Sequence, residues 1–370
     1  MIKYYNISQT IQAINNSSGV ICIGTGRYLK RITEEFPEIA KRICVLADND
    51  IHKQGQEYCF SSTKKVKIVS LSQAEMMVNN DMIVIIAVSQ YYDILDQLKQ
   101  FPNLNKLEWI IFRFLFALKS DQTALLKKIP DNLNLFDKQL IPKVIHYCWF
   151  GKNPIPDRYK EWMKSWKKFC PDYEIVEWNE SNYDINKNQY MYQAYKAKKW
   201  GFVPDYARLD IIYKHGGIYL DTDVELVKNL DHLLYQKAFV GFESDKYVAL
   251  GLGFGAQKGH PIIKEMLEQY EKMNFIKENG EMNLVPSPVF QTQVLLSHGL
   301  IQNGEFQTVE GMNIYPEKMF CAKSLSSRLI RCTDYTCSIH HYDASWQTDE
   351  IRNKVFSFER EMQEYYGNLV

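Results

Sequence analysis

The chain has 370 residues, enough for two domains, and 46% hydrophobic with 24% charged residues is the balance of a globular protein with a sizeable core. Lys+Arg and Asp+Glu both number 44, so no net field draws a polyanion and a nucleic-acid partner is not expected. The eight cysteines include no C-x-x-C pair, which argues against a zinc knuckle or disulfide framework and for reduced thiols in a cytoplasmic setting.

"MIKYYNISQT" at the N-terminus lacks an apolar signal core, and nothing approaches the ~18 apolar residues of a membrane span. The first third alternates strand and helix signals. "GVICIG" (19–24), "RICVLAD" (42–48), "MIVIIAV" (82–88) and "LEWIIF" (107–112) read as strands, with helices such as "YLKRITEEF" and "YYDILDQLKQF" between them. Apolar runs separated by helices predict a parallel sheet with crossovers, hence a Rossmann-like α/β domain over 1–135. "WIIFRFLFAL" (109–118) reads as a buried strand entering a helix. "IGTGRYL" (23–29) begins like a dinucleotide fingerprint, with Gly24 and Gly26 for the turn and Asp48 near the place of an acidic ribose ligand. Leu29 stands where the third glycine belongs, so the expectation is weak nucleotide binding or none.

Residues 119–141 lose this rhythm and mark the boundary. "IPKVIHYCWFG" (141–151) and "YEIVEW" (173–178) then read as strands, separated by the amphipathic "RYKEWMKSWKKF". "PDYARLDIIYKHGG" (204–217) reads as a helix with Pro at its start and a Gly pair at its end. "GIYLDTD" follows as a strand, then "AFVGFE" (238–243), a helix near 261–272, "CSIHHYDASW" (337–346) and a closing helix around 350–366.

The chemistry concentrates at Asp221 and Asp223. In an extended chain, residues two apart project together, and ligands of α/β sheets gather at the carboxyl ends of strands. Two hard carboxylates there suit Mg²⁺ or Mn²⁺, which bridges the phosphates of a nucleoside diphosphate. Asp205 and Arg208 share a helix face, one able to accept from sugar hydroxyls and the other to fork onto phosphate. The plain alternatives are a solvated turn and an intrahelical ion pair. Of His340 and His341, an extended segment turns only one toward the cleft, where it would suit Mn²⁺; packing at the surface is the alternative.

"IPKVIHYCWFG", "PDYARLDIIYKHGGIYLDTDVEL", "GFGAQKGHP" and "IHHYDASW", in this order, resemble the D-x-D glycosyltransferases of the capsular-polysaccharide and Och-type mannosyltransferase kind, with clostridial glucosylating toxin domains as distant relatives. The likeness spans about residues 141–346. It implies a GT-A type nucleotide-sugar-binding domain over 141–370, a divalent Mn²⁺ or Mg²⁺, and retention of anomeric configuration. By resemblance, Trp149 stacks on the base. Tyr219 lines the donor site, Asp205 and Arg208 touch donor sugar and phosphates, and Asp221 contacts ribose and sugar with indirect metal contact. Asp223 is the direct metal ligand, His341 the C-terminal metal ligand, and Trp346 lies near the leaving phosphate. "VALGLGFGAQ" (248–257) departs from the pattern, with Gly and Leu where relatives often carry an Asn.

The implied function is metal-dependent retaining transfer from a nucleotide sugar, UDP-sugar favoured over GDP-sugar. The acceptor is a glycan or lipid-linked glycan, in bacterial surface polysaccharide synthesis, on the cytoplasmic side with peripheral membrane contact. Same-face attack is expected; a double displacement would call on Glu243 or Asp245. Two rivals stand beside it: a glycosidase using the close carboxylates as acid and nucleophile, and a non-catalytic sugar-nucleotide-binding protein.

Overall fold

The structure is a computed structural model that describes residues 1–131, 133, 135–343 and 348–368. It contains two compact units, Met1–Asp121 and Gln122–Val370. The second unit begins at Gln122, ahead of the boundary at 135 expected from sequence, and within it the Tyr335 hydroxyl donates to Lys127 O at 2.9 Å. The Phe136 N–H donates to Tyr235 O at 2.8 Å and the Leu140 N–H to Leu234 O at 2.9 Å.

In the first unit, β1 (Ile2–Lys3), β2 (Gly19–Ile23), β3 (Ile43–Ala47), β4 (Glu57–Cys59), β5 (Lys65–Val69), β6 (Met82–Ile86) and β7 (Glu108–Ile111) form a seven-stranded sheet in the order β1-β7-β6-β2-β3-β5-β4. All pairings are parallel except β4 with β5. The central strands "GVICI" and "MIVII" are buried along their whole length, which explains their unbroken apolar runs. "KVKIV" of β5 alternates lysine with apolar residues near the sheet edge, and its pattern was too polar to read as a strand. The chain passes from β7 straight into the helix Phe112–Leu125. At the end of β2, the Asp48 carboxylate accepts the Thr25 N–H at 2.9 Å as well as the Thr25 hydroxyl. The acid expected to meet a ribose is therefore bonded to the glycine turn itself.

The second unit holds β8 (Val144–Cys148), β9 (Glu174–Trp178), β10 (Gly217–Tyr219), β11 (Val224–Leu226), β12 (Ala238–Phe242), β13 (Val248–Ala249), β14 (Phe254–Ala256), β15 (Gln307–Val309), β16 (Met312–Tyr315) and β17 (Ser338–His340). The main sheet runs β15-β16-β12-β14-β10-β8-β9, with β13 beside β12. β9, β8 and β10 are parallel, as are β12 and β16, while β14 is antiparallel to β10 and β12. Separately, β11 and β17 pair antiparallel, Val224 opposite His340.

The helix Pro204–His215 is buried along most of its length and ends at Gly216, φ 70°, a left-handed position that favours glycine. Gly217 follows at φ 101°, where a Cβ would stand 2.9 Å from His146 Nε2. This close reversal brings the helix directly onto β10 and sets Arg208 beside Tyr219. Among the described residues, no helix is long and apolar enough to cross a membrane.

Candidate active site

Where β10 ends, the chain makes a turn closed by the Val224 N–H on Asp221 O at 3.1 Å, then enters β11. Asp221 and Asp223 therefore converge through a turn and not through strand alternation. Glu225 lies outside this convergence and faces His341.

The β11–β17 ladder delivers the third group. His340 Nε2 lies 3.2 Å from Asp223 Oδ1, and ligand atoms of Asp221, Asp223 and His340 all lie within 4.8 Å of one another. The sequence reading grouped His341 with the two aspartates; the structure groups His340 with them instead. Val224 pairs with His340, so the following residue turns to the other side of the ribbon. His341 stacks on Trp162 at 4.0 Å between centroids, 8° from parallel, and its Nε2 meets Glu225 Oε2 at 2.9 Å. Trp346 lies outside the described residues.

Behind the carboxylates sits Arg208, only 5% exposed in its side chain. It is bonded to Asp205, donates to Ser287 Oγ at 3.3 Å, and holds Nη1 3.6 Å from Asp221 Oδ2. The Tyr219 hydroxyl donates to Asp221 Oδ1 at 3.0 Å, and the guanidinium carbon stands 5.7 Å from the Tyr219 ring centroid. Asp205, Arg208, Tyr219, Asp221 and Asp223 thus form one connected group.

Gly251 completes the cradle, accepting the Asp221 N–H at 3.2 Å. A Cβ at Gly251 would lie 2.3 Å from Asp221 Oδ2, so the carboxylate occupies the space a side chain would need. That accounts for glycine within "VALGLGFGAQ". The surrounding loop is fixed by the Leu250 N–H on Gln291 Oε1 at 3.1 Å and the Val248 N–H on Thr292 Oγ1 at 3.0 Å.

Trp149 follows β8, half-buried, with Nε1 donating to Asn153 O at 2.6 Å and its ring edge-on to Tyr159 at 5.9 Å. Tyr159 reaches the site indirectly: its hydroxyl donates to Asp343, whose own N–H donates to Asp223 Oδ2 at 3.0 Å. Of the two carboxylates considered for double displacement, Asp245 is exposed. Burial raises Glu243, with His340 and Arg328 opposing.

The electrostatics separate the two aspartates. Burial raises Asp221, opposed by Arg208 and reinforced by Asp223. Burial also works against ionised Asp223, but His340 and the Asp343 N–H outweigh it and bring the carboxyl down to about 2. Burial disfavours protonated His340, yet Asp223 and Asp221 prevail and raise it above its ordinary value. The His340 Nδ1 is buried without a hydrogen-bond partner. Two carboxylates and one imidazole on a partly open turn fit Mn²⁺ or Mg²⁺, with positions left for substrate oxygens.

Sequence reasoning missed Gly251 as a contact of Asp221, and also Ser287, Gln291 and Asp343. Gly251 and Asp343 lie in stretches already quoted, but their roles, like those of Ser287 and Gln291, come from contacts distant in sequence.

Residues 156–240 match a family model described as the glycosyltransferase sugar-binding region containing the DXD motif. This span includes Asp205, Arg208, Asp221 and Asp223 but not His340. Among curated proteins, inositol phosphoceramide mannosyltransferase 3 of Schizosaccharomyces pombe is 33% identical over 143 residues, 36% of this chain and 38% of that protein. An uncharacterized glycosyltransferase, L373, of Acanthamoeba polyphaga mimivirus is 25% identical over 232 residues, 59% of this chain and 88% of that protein. The chain spans between 37% and 45% of the first mannosyltransferase-type relatives it matches. A solved structure, the PaToxG glycosyltransferase, aligns at a TM-score of 0.36 and 20% identity over 50% of this chain and 76% of that chain, too slight a likeness to bear on function.

Proposed function

We propose that the second unit is a glycosyltransferase that moves a sugar from a nucleotide-activated donor, using Mn²⁺ or Mg²⁺ at Asp221, Asp223 and His340. The observation that carries this reading is the convergence of those three groups on a turn backed by the buried Arg208. The bound cation supplies Lewis-acid stabilisation of the departing diphosphate. Arg208, oriented by Asp205 and Ser287, adds a fixed positive charge beside that position, preorganised because its bonds exist before substrate arrives. Asp223, depressed to about 2, stays ionised through the physiological range. Tyr219 and Gly251 fix the rotamer of Asp221. Trp149 offers an aromatic face for a base, while Asp205, buried in an i,i+3 ion pair with Arg208, acts by orienting that arginine. Retention by same-face attack belongs to this proposal.

The relatives' names bring a mannosyl donor and an inositol phosphoceramide acceptor into consideration beside the UDP-sugars and bacterial glycans implied by the resemblance. The proposed acceptor is therefore a glycan or a lipid-borne polar headgroup. Incubation with UDP- and GDP-hexoses and Mn²⁺ should release nucleoside diphosphate with one donor, and EDTA or Asp223→Ala should remove nearly all of that release. Full activity in EDTA refutes the metal assignment.

The glycosidase reading has one observation in its favour, the opposite displacement of Asp221 and Asp223. Against it, Asp221 already accepts from Tyr219 and faces Arg208, both of which favour the carboxylate over a proton-donating acid. Hydrolysis of free oligosaccharide without nucleotide would support the glycosidase.

A further inference from the structure

Asp343 is not among the three clustered groups, yet it is tied more heavily than any of them. Its side chain is 6% exposed. Oδ2 accepts Arg158 Nη2 at 2.5 Å and the Tyr159 hydroxyl, both from the helix Asp157–Phe169, and Oδ1 faces Arg352 Nη2 at 4.0 Å from the helix Asp349–Tyr366. Its backbone, meanwhile, donates to Asp223 Oδ2.

Between His341 and Asp343 the chain reverses through Tyr342 at φ 54°, a left-handed conformation that a tyrosine adopts only where its surroundings hold it. The Tyr342 ring stands edge-on to His340 at 4.3 Å, and its hydroxyl meets Cys321 Sγ at 2.7 Å. The reversal is what aims the Asp343 N–H back at the D-x-D turn, while the His341 N–H donates to Asp223 O at 2.9 Å.

We propose that Asp343, clamped by Arg158 and Tyr159, is a positioning residue that holds the His340 limb against Asp223 and so sets the affinity of the turn for a divalent cation. The inference rests on the metal reading above and adds to it a control point from a different helix. Without the clamp, the strained Tyr342 reversal relaxes, the Asp343 N–H leaves Asp223, and His340 loses its fixed approach. Loss of such an outer partner weakens metal binding by about 10- to 100-fold.

The test is direct Mn²⁺ binding to the full chain without donor, read from the electron paramagnetic resonance signal of free Mn²⁺, with thermal unfolding alongside. Wild type should bind, and Asp223→Asn should not. Arg158→Gln and Asp343→Asn should raise the Kd by about 10-fold or more, and Arg158→Lys should recover part of the loss. Arg158 is 46% exposed, so its replacement leaves the fold intact even if Asp343→Asn fails to fold. Wild-type affinity in Arg158→Gln overturns the positioning role and leaves the metal reading standing. Equal failure of wild type and Asp223→Asn to bind overturns the metal reading and the positioning role with it.

Discussion

Replacing Gly251 by alanine places a Cβ 2.3 Å from Asp221 Oδ2 and 3.2 Å from Arg208 Nη1. Gly251 is not among the positive-φ glycines, so the backbone itself accepts alanine. The strain falls on the carboxylate, which must rotate away from the Tyr219 hydroxyl at 3.0 Å and from Arg208 at 3.6 Å. A hydrogen bond to a charged group contributes about 1.5–3 kcal/mol. If Asp221 must regain its position to share a cation, that loss corresponds to about a 10- to 150-fold weaker Mn²⁺ Kd. Turnover at fixed Mn²⁺ should fall in parallel, while thermal unfolding moves little because the carboxylate rotates and the core does not. Wild-type Mn²⁺ affinity in Gly251→Ala would show that the Asp221 rotamer does not matter and refute the reasoning.

The remaining expectations follow from the same contacts. His340 is raised above 6.5, so its contribution to the stability of the metal-free protein is full below that pH and is lost as pH rises through the raised value. Asp223, lowered from 3.8 to about 2, contributes above 3.8 and loses that contribution as pH falls toward 2. Mn²⁺ must displace the His340 proton, so Mn²⁺ affinity should rise by up to about tenfold per pH unit below the His340 pKa and then level off; a flat profile from roughly pH 5.5 to 8.5 would contradict this coupling. Ser287→Ala removes one acceptor of Arg208, and a hydrogen bond to a charged group contributes about 1.5–3 kcal/mol; because Arg208 is placed to steady the departing diphosphate, kcat should fall together with kcat/KM, by about tenfold or more. In the first unit, Asp48→Ala leaves the Thr25 N–H without its acceptor and should cost about 1–2 kcal/mol of stability, seen as a lowered urea midpoint of its transition.

The parts of this protein legible in its sequence are those governed by local physics. "GVICI" and "MIVII" read as strands because burial on both faces leaves continuous apolar runs. The helix from Pro204 to the Gly pair read correctly because Pro and Gly punctuate it at both ends. Asp205 and Arg208 are legible as neighbours from helix spacing; strand alternation predicts Asp221 and Asp223 together, and they do meet, but through a turn, while Tyr219 enters only by resemblance. What spacing does not contain is which partner a residue meets across the fold. The choice between His340 and His341 depends on the register of β17 against β11, a pairing more than a hundred residues apart in sequence. The need for glycine at position 251 depends on where Asp221 lies, and Asp343 became visible only once the Asp157–Phe169 helix was seen to hold it. Likewise, Asp48 looked like a ribose ligand by distance along the chain, but Thr25 already occupies it.

The central claim is that an imidazole and the acidic turn share one divalent cation. Electron spin echo envelope modulation of the Mn²⁺-loaded full chain tests it directly, because a coordinated imidazole imprints nitrogen coupling on the manganese signal. Wild type and His341→Gln should both show that coupling, and His340→Gln should lack it. Coupling that survives in His340→Gln and vanishes in His341→Gln, or its absence from the loaded wild type, would contradict the account.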